Sequence, residues 1–167
     1  MAMDFEKLYS MQKLLDERIE TQHGLQAENL VEKKILALLV EIGELANETR
    51  CFKFWSLKPA APLEKVLEEY VDGLHFILSL GLDLDFTYNP TNNEMKTKAG
   101  TGTLVEQFLL VFQAVNQFQQ KKTIETYNDL FANYLSLGDY LGFTGEKIQQ
   151  AYIQKNEVNH ERQNQNY

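Results

Sequence analysis

Between residues 31 and 46 the apolar side chains Val31, Ile35, Leu38, Leu39, Ile42, Leu45 and Ala46 recur at steps of three and four. That step follows the turn of an α-helix; a strand, which turns its side chains over at every residue, cannot use it. The same step runs through Leu8, Met11, Leu14, Leu15 and Ile19, and recurs in 63–82, 103–119, 124–137 and 145–161. With 28–50 as the second segment, the pattern predicts about six helices. Three prolines and nine glycines in 167 residues leave little turn chemistry for an all-β chain. The expected fold is an all-α, compact helical bundle, a single domain over 1–167 with enough chain to bury a substantial core. Two stretches break the pattern. "FKFWSLKPAAP" holds Pro59 and Pro62 and reads as a loop. "DLDFTYNPTNNEMKTKAGTG" is polar and reads as an irregular excursion, long enough for a compact bundle to point to a function or a lid.

Composition narrows the function. A net charge of −8 argues against a nucleic-acid polymer as partner, because such binding needs a basic track that displaces counterions. It leaves room for a small phosphorylated ligand if carboxylates hold a divalent cation. No run of about 18 apolar residues exists, so no membrane span is expected. "MAMDFEKLYS" lacks the basic and then apolar run of a secretion signal, and the lone Cys51 has no partner for an internal disulfide. A cytoplasmic location is expected, with Cys51 as a small buried apolar residue.

The chemistry concentrates in "EIGELANE", where Glu41, Glu44 and Glu48 fall within a sector of about 60° on a helix. Like charges at these spacings repel by a few tenths of a kcal/mol per pair, so their placement calls for a reason. Leu36 and Val40 lie close to the acids while the main apolar stripe lies opposite, which reads as a helix buried nearly all round. In "LEEYVDGLHF", Glu69, Asp72 and Phe76 share a face and repeat the three-residue spacing. Two such helices packed antiparallel would gather four carboxylates, a hard-oxygen set suited to Mg²⁺. Two solvated acidic faces remain the alternative on pattern alone. Asp72 and His75 stand at the spacing of half a carboxylate-bridged di-iron site, but that site calls for Glu-x-x-His on two helices, and di-iron is set aside.

Near the end of the chain, in "KNEVNHERQNQNY", Lys155, Asn159 and Arg162 sit at i, i+4 and i+7, and Tyr167 follows. Two cations and an amide on one face suit a phosphate chain and a sugar hydroxyl; a polar, fraying helix end is the plain alternative. Gln12 and Asp16 share a helical face and could read a base edge. Trp55, beside Lys53 in the loop, could stack on a base or plug the core.

Together "EIGELANE", "FKFW", "EEYVDGLHF" and the K-N-x-x-N-x-x-R-Q signature resemble the dimeric, all-α dUTPases of trypanosomatids, some bacteria and their phages. These belong to the all-α NTP pyrophosphatase superfamily that includes the MazG proteins. The resemblance spans Gln12 to Tyr167. It implies metal-dependent hydrolysis of dUTP to dUMP and pyrophosphate, with dUDP as a possible second substrate if attack falls on the β-phosphorus. It also implies two or more Mg²⁺ per site (Mn²⁺ as a substitute), held by Glu41, Glu44, Glu69 and Asp72, with the catalytic base in Glu41 or Glu44. Gln12, Asp16 and Trp55 would contact uracil, although relatives often carry Asn where Asp16 stands. His75, Phe76 and Asn159 would line the deoxyribose, and Lys53, Lys155, Arg162 and Tyr167 would face the phosphates. Glu48 has no counterpart in the motif. The family is usually a homodimer with sites completed near the subunit interface. This chain is shorter than the trypanosomatid enzymes between its third helix and the final motif. A MazG-like pyrophosphatase with another base preference and a non-catalytic helical interaction protein are the alternatives.

Overall fold

A computed structural model describes residues 2–90 and 102–166. The described residues form six α-helices: α1 (Phe5–His23), α2 (Val31–Thr49), α3 (Leu63–Asp83), α4 (Leu104–Gln120), α5 (Ile124–Tyr140) and α6 (Gly145–Asn164). There is no strand among the described residues, as the periodicity requires. No helix among them is long and apolar enough to cross a membrane.

Short polar side chains cap the starts of α1, α4, α5 and α6. Asp4 accepts the Lys7 N–H at 3.0 Å ahead of α1, and Gly24 closes that helix at φ 65°. α2 starts at Val31, three residues later than the pattern alone indicates, because Asn29 Oδ1 takes the Val31 N–H at 3.1 Å. Thr103 and Glu106 form a capping box on α4, and Thr123 and Thr126 form one on α5.

α3 is the hub, packed against α1, α2, α5 and α6, while α4 pairs with α5 and α2. Tyr70, Leu74, Ile77 and Leu78 of α3 are fully buried, and side chains of this size contribute roughly 1.5–3 kcal/mol each on leaving water. Lys34 near the start of α2 pairs with Asp83 at the end of α3 (2.7 Å). Glu41 meets Glu69 and Asp72. The two helices therefore run antiparallel. On the opposite side of α3, Tyr70 and Tyr134 stack with centroids 4.6 Å apart, and each hydroxyl donates to the other residue's backbone carbonyl (2.9 and 2.6 Å). Each ring also lies over a glycine of the facing helix, Tyr70 over Gly138 and Tyr134 over Gly73. α5 continues through Gly138 to Tyr140, beyond the 124–137 expected.

One expectation needs correction. α2 is not buried all round: Leu36 is 64% exposed and Val40 51%, and with the exposed Glu44 they form an outward ridge at steps of four. The opening of the 83–102 excursion is anchored to the core. The Tyr88 ring stacks on Phe131 at 4.4 Å, and the Tyr88 N–H donates to the Tyr9 hydroxyl at 3.0 Å. Residues 91–101, on which the reading of a functional loop or lid mostly falls, lie outside the described residues.

Candidate active site

Because α2 and α3 run antiparallel, one acid of the α2 pair, Glu41, meets both acids of the α3 pair, whereas the sequence pattern predicts a gathering of four. Glu41, Glu69 and Asp72 offer carboxylate oxygens within 4.8 Å of one another, the one metal-competent group of three or more acids, His or Cys among the described residues. Glu44 is exposed one turn further along and stands outside this group. Burial, then the charges of Asp72 and Glu44, push the Glu41 carboxyl up to about 7. Burial also raises Asp72, against the pull of Lys155. The expectation that Glu-x-x-His is missing from the chain is corrected by Glu20–His23 and Glu157–His160. Neither pair joins an acid cluster: His23 contacts Gln163 and His160 contacts Arg18.

The acids are not bare. Lys65 Nζ lies 2.6 Å from Glu69 Oε1, and Lys155 Nζ lies 2.9 Å from Asp72 Oδ2 and 3.0 Å from Glu68 Oε1. Lys155 is nearly buried; burial works against its charge, yet the pairing with Asp72 and Glu68 raises its pKa. Lys155 therefore sits on the acidic cluster itself.

Beside the cluster opens a cavity of about 270 Å³, just below the usual size range of small-ligand sites. Gln12 and Asp16 line it from α1, Glu41 from α2, Asp72, His75, Phe76 and Ser79 from α3, and Asn159 and Arg162 from α6. Its polar wall is a directed hydrogen-bond chain. Asp16 accepts from Ser79 Oγ (2.7 Å) and from Gln12 Nε2 (2.8 Å). A carboxylate only accepts, so the Gln12 carbonyl must face the other way, where Tyr152 donates to it at 2.8 Å. His75 Nδ1 lies 2.7 Å from the same oxygen and must carry the proton. Burial drives the His75 pKa down to about 3, so the ring is neutral, and it stacks on Tyr152 at 4.2 Å. Burial also raises the Asp16 carboxyl, while Ser79, Lys34 and Gln12 work the other way.

Other predicted residues stand apart from this cavity. Arg50 ties down the loop after α2 through Ser56 Oγ (2.7 Å) and the Lys58 carbonyl (3.1 Å), and the Glu48 carbonyl accepts from Ala61 (3.0 Å). The loop presents its aromatics outward. Trp55 is 65% exposed and packs edge-on against Phe52 and Phe54, so it neither plugs the core nor lines the cavity. Lys53 lies in the same loop, over the Phe52 ring. Cys51 is half-buried rather than core. Tyr167 lies outside the described residues.

A family model described as dUTPase matches residues 4–167. The chain belongs to the dUTPase family. It is a dUTP diphosphatase, and its six-helix fold is that of the all-α, MazG-like dUTPases its motifs resemble. Among curated proteins, none matches it.

Ser79, Tyr152, Lys34, Lys65 and Glu68 went unnoticed in the sequence. Ser79 falls three residues after Phe76 on the face that carries Asp72, so periodicity could have found it. Tyr152 sits three residues before Lys155. Its role depends on the packing of α6 against α1, which no spacing reveals.

Proposed function

We propose that the enzyme hydrolyses dUTP to dUMP and pyrophosphate with Mg²⁺ as its cofactor, with dUDP as a further substrate. In this reading it limits uracil incorporation into DNA and supplies dUMP for dTMP synthesis in the cytoplasm, acting as a homodimer. One observation carries the substrate assignment: a cavity near nucleoside size abuts a carboxylate cluster and a buried lysine. The donor set fits the metal, because three converging carboxylates are the hard oxygen ligands that Mg²⁺ prefers, and Mn²⁺ can replace it. Glu41, Glu69 and Asp72 would hold it, with Glu44 contributing from the next turn. When bound, it supplies charge neutralisation of the triphosphate and a more acidic attacking water.

The chain's own residues do the rest. Gln12 offers an N–H beside the acceptor oxygens of Asp16, a donor–acceptor pair that complements a uracil carbonyl and its N3–H. Cytosine presents the opposite pattern there. Phe76, beside Asp72 and His75 in the lining, crowds the sugar. Asn159 would face the sugar hydroxyl, while Lys155 and Arg162 face the phosphates and stabilise departing charge. Glu41 would accept the proton of the attacking water.

Pyrophosphate release from dUTP, UTP, dTTP and dCTP, with Mg²⁺ and with EDTA, tests the reading. Turnover confined largely to dUTP and lost in EDTA is expected. Equal turnover of all four would discard the specificity residues, and full activity in EDTA would discard the metal.

A further inference from the structure

Two of the three clustered acids are already held by ammonium groups: Glu69 by Lys65 (2.6 Å) and Asp72 by Lys155 (2.9 Å). Both lysines also reach one further carboxylate. Glu68 accepts Lys65 at Oε2 (3.2 Å) and Lys155 at Oε1 (3.0 Å), although it stands outside the cluster of three. The five side chains thus form a continuous ladder, Glu69–Lys65–Glu68–Lys155–Asp72. Lys65 lies toward solvent, its side chain 44% exposed, whereas that of Lys155 is 10% exposed.

We infer that Lys65 and Lys155 are resident counter-cations of the cluster, and that Glu68 is the carboxylate onto which they withdraw when a divalent cation takes Glu69 and Asp72. This rests on the metal-dependent reading above and adds to it a role for Lys65 and Glu68. An ammonium less than 3 Å from a carboxylate oxygen competes for it with any incoming cation. Lysine is a flexible point charge, so it can give up one oxygen and keep another. Glu68 lies within reach of both lysines before and after the exchange, which reduces the cost of displacing them without abolishing it. The cluster therefore binds a divalent cation weakly on its own. A polyphosphate reverses the balance, because it brings further oxygens to the cation and an anionic partner for Lys155 as that side chain leaves Asp72. On this account cation and nucleotide bind cooperatively, and the lysines set the coupling.

Mn²⁺ titrations of the nucleotide-free protein, followed by the paramagnetic resonance of the free ion, test this without measuring turnover. Lys65→Met and Lys155→Met should each tighten Mn²⁺ binding by roughly three- to tenfold, less for the solvent-screened Lys65. Glu68→Gln should weaken it in the parent and have a much smaller effect once both lysines are replaced. A bystander charge at Glu68 would have the same effect in both backgrounds, and that result overturns the inference. So does unchanged Mn²⁺ affinity in Lys65→Met, a variant at a solvent-facing position that leaves the core untouched. A parent protein that binds no Mn²⁺ even with a non-hydrolysable dUTP analogue would instead remove the metal-dependent reading itself.

Discussion

His75 is a buried imidazole whose proton position is dictated from two residues away, through Gln12, by a carboxylate that can only accept. Its pKa falls from 6.5 to about 3 because burial disfavours the cation. The unfolded chain binds a proton at His75 below about pH 6.5, whereas the folded chain does not until about pH 3. Stability from this group is thus intact above 6.5 and is lost as pH falls toward 3; at pH 5 the loss is about 2 kcal/mol. Urea unfolding at pH 7.5 and pH 5 should show that much extra loss in the parent relative to His75→Gln. Equal losses would mean that the ring charges freely inside the fold. Phe76 is the other residue-scale test. Phe76→Ala opens space in the cavity wall proposed to face the sugar, so the preference for dUTP over UTP should fall by tenfold or more in kcat/KM, in the range of differences set by pocket shape. Unchanged discrimination would show that the ring does not police the 2′ position.

At the scale of elements, the α3–α5 contact depends on two glycines as much as on two tyrosines. A Cβ at Gly138 would stand 2.6 Å from the Tyr70 hydroxyl, whose ring is fully buried and cannot swing away. Gly138→Ala should therefore destabilise the fold by about 1–3 kcal/mol despite the better helix propensity of alanine. A thermal midpoint at or above the parent's would refute that account. The elements themselves were legible because the apolar step persists through each helix. Their limits were less so: Asn29 moves the start of α2, and α5 runs through a glycine whose role is to admit a ring. The meeting of Glu41 with Glu69 and Asp72 was readable because two consecutive helices carry acids at one spacing. Lys65 and Glu68 were equally visible as letters. The pairing of Glu68 with Lys155 was not, since it requires α6 to lie across α3. Trp55 is the opposite case, a residue marked by type whose position depends on how a loop folds back.

For the whole molecule, the ridge of Leu36, Val40 and Glu44 is the feature one chain leaves unexplained. Its apolar members stand in water while Val31, Ile35, Leu38, Ile42 and Leu45 of α2 face the core. The sequence reads as a helix buried nearly all round, and that pattern makes sense if a second copy covers what this chain leaves open. Exposed Leu109 and Leu110 on the neighbouring α4 enlarge the apolar surface available for such a contact. A dimer closed over this face would also take Glu44 out of water, one turn from Glu41, and so tie assembly to the acidic cluster. Sedimentation equilibrium should accordingly give twice the 19.4 kDa of the chain at micromolar concentration. Leu36→Glu combined with Val40→Glu should reduce it to the chain mass with unchanged helical content, because neither side chain supports the core. A parent that sediments as one chain would refute the homodimer. A doubly charged variant that remains dimeric would place the interface elsewhere, leaving Glu44 in solvent and its part in cation binding without support.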